Sequence, residues 1–335
     1  MKSFIPEGYH SALSIYDTQK AIGLLKRVFE DNLSAKLNLR RVSAPLFVTK
    51  STGLNDDLSG VERAVSFDIP AAGCEAQVVH SLAKWKRYAL KLYGFEPESG
   101  LVTDMDAIRR DEEDLDNLHS VYVDQWDWEK VITREDRCVE YLKKTVQDIV
   151  DAIIATNITI RNIFPSVNVE LKREVSFITS QELEDMYPDL TSKQRENAYL
   201  KEHKTAFIMQ IGKKLRSGNK HDGRAPDYDD WELNGDILFW DDVLNMAMEI
   251  SSMGIRVDEE SMLRQLELAG CLERKNLTFH KMLLNGELPL TIGGGIGQSR
   301  LSMLLIGAAH IGEVQVSIWD DHTRKVCEEA GVQLL

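Results

Sequence analysis

Strand-like stretches in this chain arrive in groups, several in succession with no helix between them. AVSFDI (64–69), AQVVHSL (76–82) and SVYVDQWDW (120–128) come first; VSFITS (175–180), AFIMQIG (206–212), DILFWD (236–241) and EISSMGIRVD (249–258) follow. Such succession argues against regular βαβ winding, which needs a crossover for every parallel pair, and predicts an α+β arrangement around a mixed or antiparallel sheet. Two long helices stand out beside the strands. Ile22, Leu25, Phe29, Leu33 and Leu37 recur at helical spacing within 17–39, with Asp17 or Thr18 as cap. Val139, Leu142, Val146, Ile149, Val150, Ile153 and Ile154 repeat that pattern over 139–158, and Pro45 closes the helical reading after the first helix. No repeat, low-complexity tract or obvious linker divides the chain, so a single domain over 1–335 is expected.

Charge narrows the partners. A formal net charge of −14 repels phosphate backbones, so a nucleic-acid partner is not expected, while small charged metabolites in a buried site are. No apolar run approaches the roughly 18 residues of a membrane helix, and MKSFIPEGYH lacks the apolar stretch of a secretory signal. Cys74, Cys138, Cys271 and Cys327 lie far apart without a C-x-x-C pair, which suggests neither a zinc cluster nor a disulfide framework. A reducing cytoplasm is the expected location.

Glycine is densest at 291–301, TIGGGIGQSRL. The spacing fits neither a dinucleotide fingerprint, because Gln298 stands where the last glycine belongs, nor a phosphate loop, because no lysine follows Gly297. The stretch is therefore a nucleotide site of another kind, ending in Arg300, or a tight turn from strand to helix. In SVYVDQWDWEK, alternation puts Gln125 and Asp127 on one face, either converging on a polar ligand or wetting an edge strand. Lys84 and Lys86 in HSLAKWKRYAL read as solvated lysines or as holders of a carboxylate. The two arginines of MDAIRRDEED offer an anion grip or ordinary surface pairing. Asp227, Asp229, Asp230 and Asp236, followed by Glu249, Ser251, Ser252 and Arg256, either cap turns or bind a hard cation. Glu249 and Ser252, taken with the glycine stretch ending in Arg300, favour a metal–nucleotide site.

VHSLAKWKR, LHSVYVDQWDW, RAPDYDDW, LNGDIL, SSMGIRVD and TIGGGIGQSRL together resemble the ammonia-dependent asparagine synthetases, from about residue 20 to the end. The resemblance implies the catalytic core of class II aminoacyl-tRNA synthetases, a mainly antiparallel sheet flanked by helices, without a tRNA-binding appendage. It implies ATP-dependent amidation of L-aspartate with free ammonia through a β-aspartyl-adenylate, releasing AMP and pyrophosphate. In that pattern Arg109 grips the α-phosphate, while Gly294, Gly295 and Arg300 receive ATP. Asp236, Glu249 and Ser252 hold Mg²⁺, and Lys86 holds the substrate carboxylate. Ser81, Asp127, Asp229, Ser251 and Arg256 read the amino acid, and Asp56 and Gln125 serve ammonia, with neighbouring Asp57 as the alternative to Asp56. The first helix and the segment through Pro45 imply a homodimer. Lys2 stands where the glutamine-using enzymes carry a nucleophilic cysteine, in keeping with free ammonia as the nitrogen donor.

Overall fold

The computed structural model describes residues 2–55, 62–112 and 115–335. Its main sheet is built from β1 (Leu39–Arg41), β5 (Gly100–Ile108), β6 (Tyr122–Val131), β7 (Ser176–Thr179), β8 (Thr205–Met209), β9 (Asp229–Asp241), β10 (Met246–Arg256) and β11 (Thr291–Gly297). Their order across the sheet is β1-β5-β6-β11-β10-β9-β8-β7. A smaller antiparallel sheet, ordered β2-β4-β3, joins β2 (Phe47–Thr49), β3 (Ser66–Ile69) and β4 (Cys74–Val78). The helices are α1 (Ile15–Leu37), α2 (Ala83–Leu92), α3 (Val139–Ile163), α4 (Ser180–Met186), α5 (Ser192–His203), α6 (Glu259–Leu268), α7 (Thr278–Leu284), α8 (Gln298–Ile306) and α9 (Asp321–Glu329).

The main sheet is mixed, which corrects the expected mainly antiparallel arrangement at both edges. From β5 through β8 each neighbouring pair is antiparallel, whereas β1 pairs with β5 and β7 pairs with β8 in parallel. The parallel edge between β7 and β8 arises because α4 and α5 lie between those strands in the chain and supply the crossover that a parallel pair requires. SVYVDQWDW is accordingly no edge strand: β6 lies between β5 and β11.

One face of the sheet is covered by α1, α3 and α8. Leu25, Phe29 and Leu33 from α1 and Val146, Ile149 and Ile153 from α3 pack with Trp126 and Trp128 of β6, Met253 and Ile255 of β10, and Ile292 and Ile296 of β11. Burial of this apolar face is the main stabilising contribution to the fold. α1 is capped by Ser14, whose side chain accepts from Asp17 N, rather than by Asp17 or Thr18.

Among the described residues, the apolar packing on the opposite face gathers toward its two ends. Tyr199 and Leu200 of α5 pack on Ile208, Leu238 and Trp240 at one end. At the other, Val79, Leu82, Ala89 and Leu90 pack on Met105, Ala107, Leu101 and Val131. Between them the middle strands present polar side chains. Among the described residues no helix is long and apolar enough to cross a membrane, and the four cysteines are free.

Candidate active site

The polar stripe follows from strand periodicity. Because Trp126 and Trp128 face the helices, Gln125, Asp127 and Glu129 face the other way. β11 lies beside β6 with Gly293 opposite Glu129 and Gly295 opposite Asp127. A Cβ at Gly293 would run into the Glu129 carboxylate, and one at Gly295 would lie 2.7 Å from Asp127 Oδ1. The glycines of TIGGGIG therefore make room, at two alternate positions, for carboxylates of the neighbouring strand. Gly297 ends the strand and α8 begins at Gln298, so the stretch is both strand and turn into helix.

On β10 the period breaks. Glu249 pairs with Leu238 but Ser251 pairs with Ile237, a bulge that inserts one residue. Without it Glu249 and Ser252, three apart, would face opposite sides of the sheet; with it both reach the polar side. The same shift sets Ser251 opposite Ile237, a residue of the helix-side core, and its buried hydroxyl has no hydrogen-bond partner. The expected substrate contact by the Ser251 side chain is thus not available in this geometry.

Two adjoining cavities open onto the stripe. One, of about 220 Å³, has Ser81, Lys86, Asp127, Asp229, Arg256 and Gly294 in its wall, together with His80 and Tyr228. The other, of about 240 Å³, is lined by Arg300, Leu118, His119, Tyr122, Ile250 and Ile311 among others. Arg109, Gln125, Glu249, Ser252 and Gly295 belong to both walls. Residues expected from RRDEED, SVYVDQWDW, MEISSMGIR and GGGIGQSR thus meet around one divided space. Asp56 and Asp57 lie outside the described residues.

The first cavity rests on a buried charge network. Lys86, carried inward by α2, places its Nζ 3.2 Å from Asp127 Oδ2 and 3.9 Å from Glu129 Oε2, and donates to Gly294 O at 3.0 Å. Burial lowers its pKa from the ordinary lysine value, with Asp127 opposing. Arg256 donates from Nε and Nη2 to Glu129, at 3.0 and 2.7 Å, and from Nη1 to Asp229. Burial works against the guanidinium charge, but Glu129 and Asp229 outweigh it and hold its pKa above normal. Glu129 is fully buried and also accepts from Thr291 Oγ1 at 2.7 Å. Despite the burial, Arg256 and Lys86 keep its pKa below the usual carboxylate range.

Asp236 stands opposite Ser252 across β9 and β10. Arg224 bridges them, donating from Nη2 to Asp236 Oδ1 at 2.6 Å and from Nη1 to Ser252 Oγ. Burial pushes the Asp236 pKa up to about 6; Arg224 opposes the rise and Glu249 adds to it. Arg300 donates from Nη1 to Glu249 O at 3.2 Å and from Nε to Leu118 O at 3.4 Å, which ties α8 to β10. Among the described residues no group of three or more His, Cys, Asp or Glu side chains gathers as a metal cage. Asp236, Glu249 and Ser252 supply only oxygens, two of them carboxylates on adjacent strands. That set fits a small hard cation whose remaining positions are filled by water and phosphate oxygens.

Sequence reasoning missed Glu129, His80, Tyr228 and Arg224. Glu129 was within reach, because it continues the alternation of Gln125 and Asp127 by one more step.

Residues 16–331 match the family model described as aspartate-ammonia ligase. A curated aspartate–ammonia ligase from Clostridium perfringens is 59% identical over 335 residues, covering 100% of this chain and 99% of that relative. One from Ruminiclostridium cellulolyticum is 58% identical, covering 100% of both chains. In fold the chain resembles asparaginyl-tRNA synthetase from Pyrococcus horikoshii complexed with asparaginyl-adenylate (TM-score 0.64, 14% identity, 90% of this chain and 68% of that one). It also resembles aspartyl-tRNA synthetase from Entamoeba histolytica (TM-score 0.58, 16% identity, 91% of this chain and 58% of that one). By a match over nearly its whole length, the chain belongs to the aspartate–ammonia ligase family, on a core like that of class II aminoacyl-tRNA synthetases.

Proposed function

We propose that the protein converts L-aspartate, ATP and free ammonia to L-asparagine, AMP and pyrophosphate, as a single catalytic domain. The observation that carries this reading is the shared wall: Arg109, Gln125, Glu249, Ser252 and Gly295 border both an amino-acid-sized cavity and the cavity of Arg300. A reaction that joins a carboxylate to a nucleotide needs such a junction.

Aspartate lies in the Lys86 cavity, with the cations Lys86 and Arg256 against its carboxylates and Asp127 and Asp229 against its ammonium, Ser81 beside them. ATP lies in the Arg300 cavity along Gly295, the flat Arg300 guanidinium offered to the adenine, while Gly294, the other glycine expected at ATP, borders the adjoining Lys86 cavity. A side-chain carboxylate oxygen of aspartate attacks the α-phosphorus. The bond from that phosphorus to the bridging oxygen breaks, and its electron pair leaves with pyrophosphate. Arg109, in both walls, neutralises charge on the α-phosphoryl oxygens as it develops. Ammonia then attacks the acyl carbon, AMP departs with the acyl C–O electron pair, and the new nitrogen loses a proton. Gln125 and Asp56 serve the incoming ammonia, Asp56 as proton acceptor. Asp236, Glu249 and Ser252 would hold Mg²⁺, which when bound would supply further neutralisation of phosphate charge.

The protein forms a homodimer through α1 and the segment containing Pro45 and works in the cytoplasm, where its free cysteines stay reduced. The test is aspartate-dependent AMP release from ATP, with ammonium, glutamine and tRNA supplied in turn. Ammonium alone completes the reaction and yields free asparagine. Formation of ADP and inorganic phosphate, or of acylated tRNA, overturns the reading.

A further inference from the structure

Arg224 has no role in the scheme above, yet it holds the centre of the acidic cluster. It sits in the segment between β8 and β9, and its side chain is 8% exposed. Its two terminal nitrogens donate to Asp236 Oδ1, at 2.6 Å, and to Ser252 Oγ, and its Nε lies 3.7 Å from Asp229 Oδ2. Asp236 and Ser252 are two of the three residues assigned to the divalent ion.

A guanidinium and a divalent cation compete for those oxygens. Metal ligation at about 2.1 Å uses the same lone pairs that Arg224 now occupies, and the two cations repel at that separation. Arg224 also has an electrostatic reason to hold that place. Glu249 and Asp222 both act on Asp236 as like charges, and Arg224 is the group that offsets them there. Lys193, another cation near this cluster, has its Nζ 3.2 Å from Glu196 Oε2 and 3.6 Å from Asp222 Oδ2. Departure is open to Arg224. Its neighbour Gly223 belongs to no helix or strand, and a Cβ there would meet nothing within 4 Å. A nucleotide triphosphate brings both the metal and the anionic oxygens that would receive the displaced guanidinium.

We propose that Arg224 is an exchangeable counter-ion: in the nucleotide-free protein it occupies the oxygens of Asp236 and Ser252, so the site takes up a divalent cation only together with nucleotide phosphates. This rests on the reading of Asp236, Glu249 and Ser252 as the metal-holding set. The exchange makes metal entry conditional on substrate, and it keeps a bare divalent ion from settling on the carboxylates ahead of ATP.

The experiment is Mn²⁺ titration of the full-length protein, followed by the electron paramagnetic resonance of free Mn²⁺, without nucleotide and with α,β-methylene-ATP. Without nucleotide, R224Q binds Mn²⁺ at least about tenfold more tightly than the unaltered protein. R224K, which keeps the charge, stays weak, and D236N added to R224Q removes the gain. R224A gives the same comparison should R224Q not fold. No gain in either neutral variant, or a gain that D236N leaves intact, overturns the proposal. The metal assignment fails separately, if D236N does not weaken Mn²⁺ binding to the complex of the unaltered protein with α,β-methylene-ATP.

Discussion

Gly295 of β11 stands directly opposite Asp127 of β6, and a methyl group on Gly295 would lie 2.7 Å from Asp127 Oδ1. The same methyl would press on Gln125, whose side chain is the other near neighbour. G295A therefore displaces two groups that line the amino-acid cavity while leaving the helix-side core untouched. A misplacement of that size costs about 100-fold in turnover efficiency. The expected result is a fall of that order in kcat/KM for aspartate, with a urea midpoint close to that of the unaltered protein. Unchanged kcat/KM would remove Gly295 from the site.

The pairing of Arg256 with Glu129 and Asp229 leads to a stability prediction. All three are essentially buried; Lys86 lies 3.9 Å from Glu129 Oε2 and Arg224 3.7 Å from Asp229 Oδ2, both farther than the direct pairs with Arg256. R256M leaves two carboxylates with too little opposing charge and destabilises the fold by about 3–5 kcal/mol. E129Q removes one charge but keeps a hydrogen-bonding side chain, so it costs less stability while raising KM for aspartate. Urea unfolding and aspartate titration of both variants check the order. Equal stability of R256M and the unaltered protein contradicts it.

These two cases also mark how far the sequence could be read. Helices α1 and α3 were legible because apolar residues three and four apart leave little alternative. Gln125 and Asp127 were legible as a pair because β6 alternates without interruption. The grouping of Glu249 with Ser252 came from their nearness in MEISSMGIR, beside the glycine stretch ending in Arg300, and from the resemblance, not from alternation, which would separate them. The bulge that unites them adds one residue to one strand and leaves no mark in composition. Strand β5 was hidden because Asp104 and Asp106 lie on its exposed face and merge with the charged run that follows. Arg224 was hidden for another reason. Its partners lie 12 and 28 residues away, and only the register of β9 against β10 brings them together.

Arg109 tests the division of labour within the shared wall. A guanidinium that answers charge developing on the α-phosphoryl group contributes to the transition state more than to ground-state binding. R109A is expected to lower kcat by about 10²–10³-fold with a much smaller change in ATP affinity. Aspartate-dependent exchange of labelled pyrophosphate into ATP, beside ATP binding by calorimetry, separates the two. Unaltered AMP formation in that variant would falsify the assignment.

A last prediction concerns acid stability and lies away from the site. His310 is fully buried, its Nδ1 accepts from Gly312 N at 3.0 Å, and its ring meets Trp319 edge-on with centroids 4.9 Å apart. An Nδ1 that accepts a hydrogen bond carries no proton, so the ring is neutral. Burial pushes its pKa down to about 4, against the pull of Asp116 and Asp320. With the folded value below the unfolded value of about 6.5, the unfolded chain binds more protons between those limits. The contribution is therefore complete above pH 6.5 and is lost as pH falls toward 4, a change of about 3 kcal/mol. Asp236 and Asp241, both pushed up to about 6 by burial, act in the opposite sense and favour the folded state as pH falls through 6. Comparison with H310N cancels those carboxylates, because asparagine can accept from Gly312 but does not titrate. The stability lost between pH 7 and pH 4.5, measured by urea unfolding, should be smaller in H310N by about 2–3 kcal/mol. Equal losses in the two proteins would mean that the folded state does not hold His310 neutral.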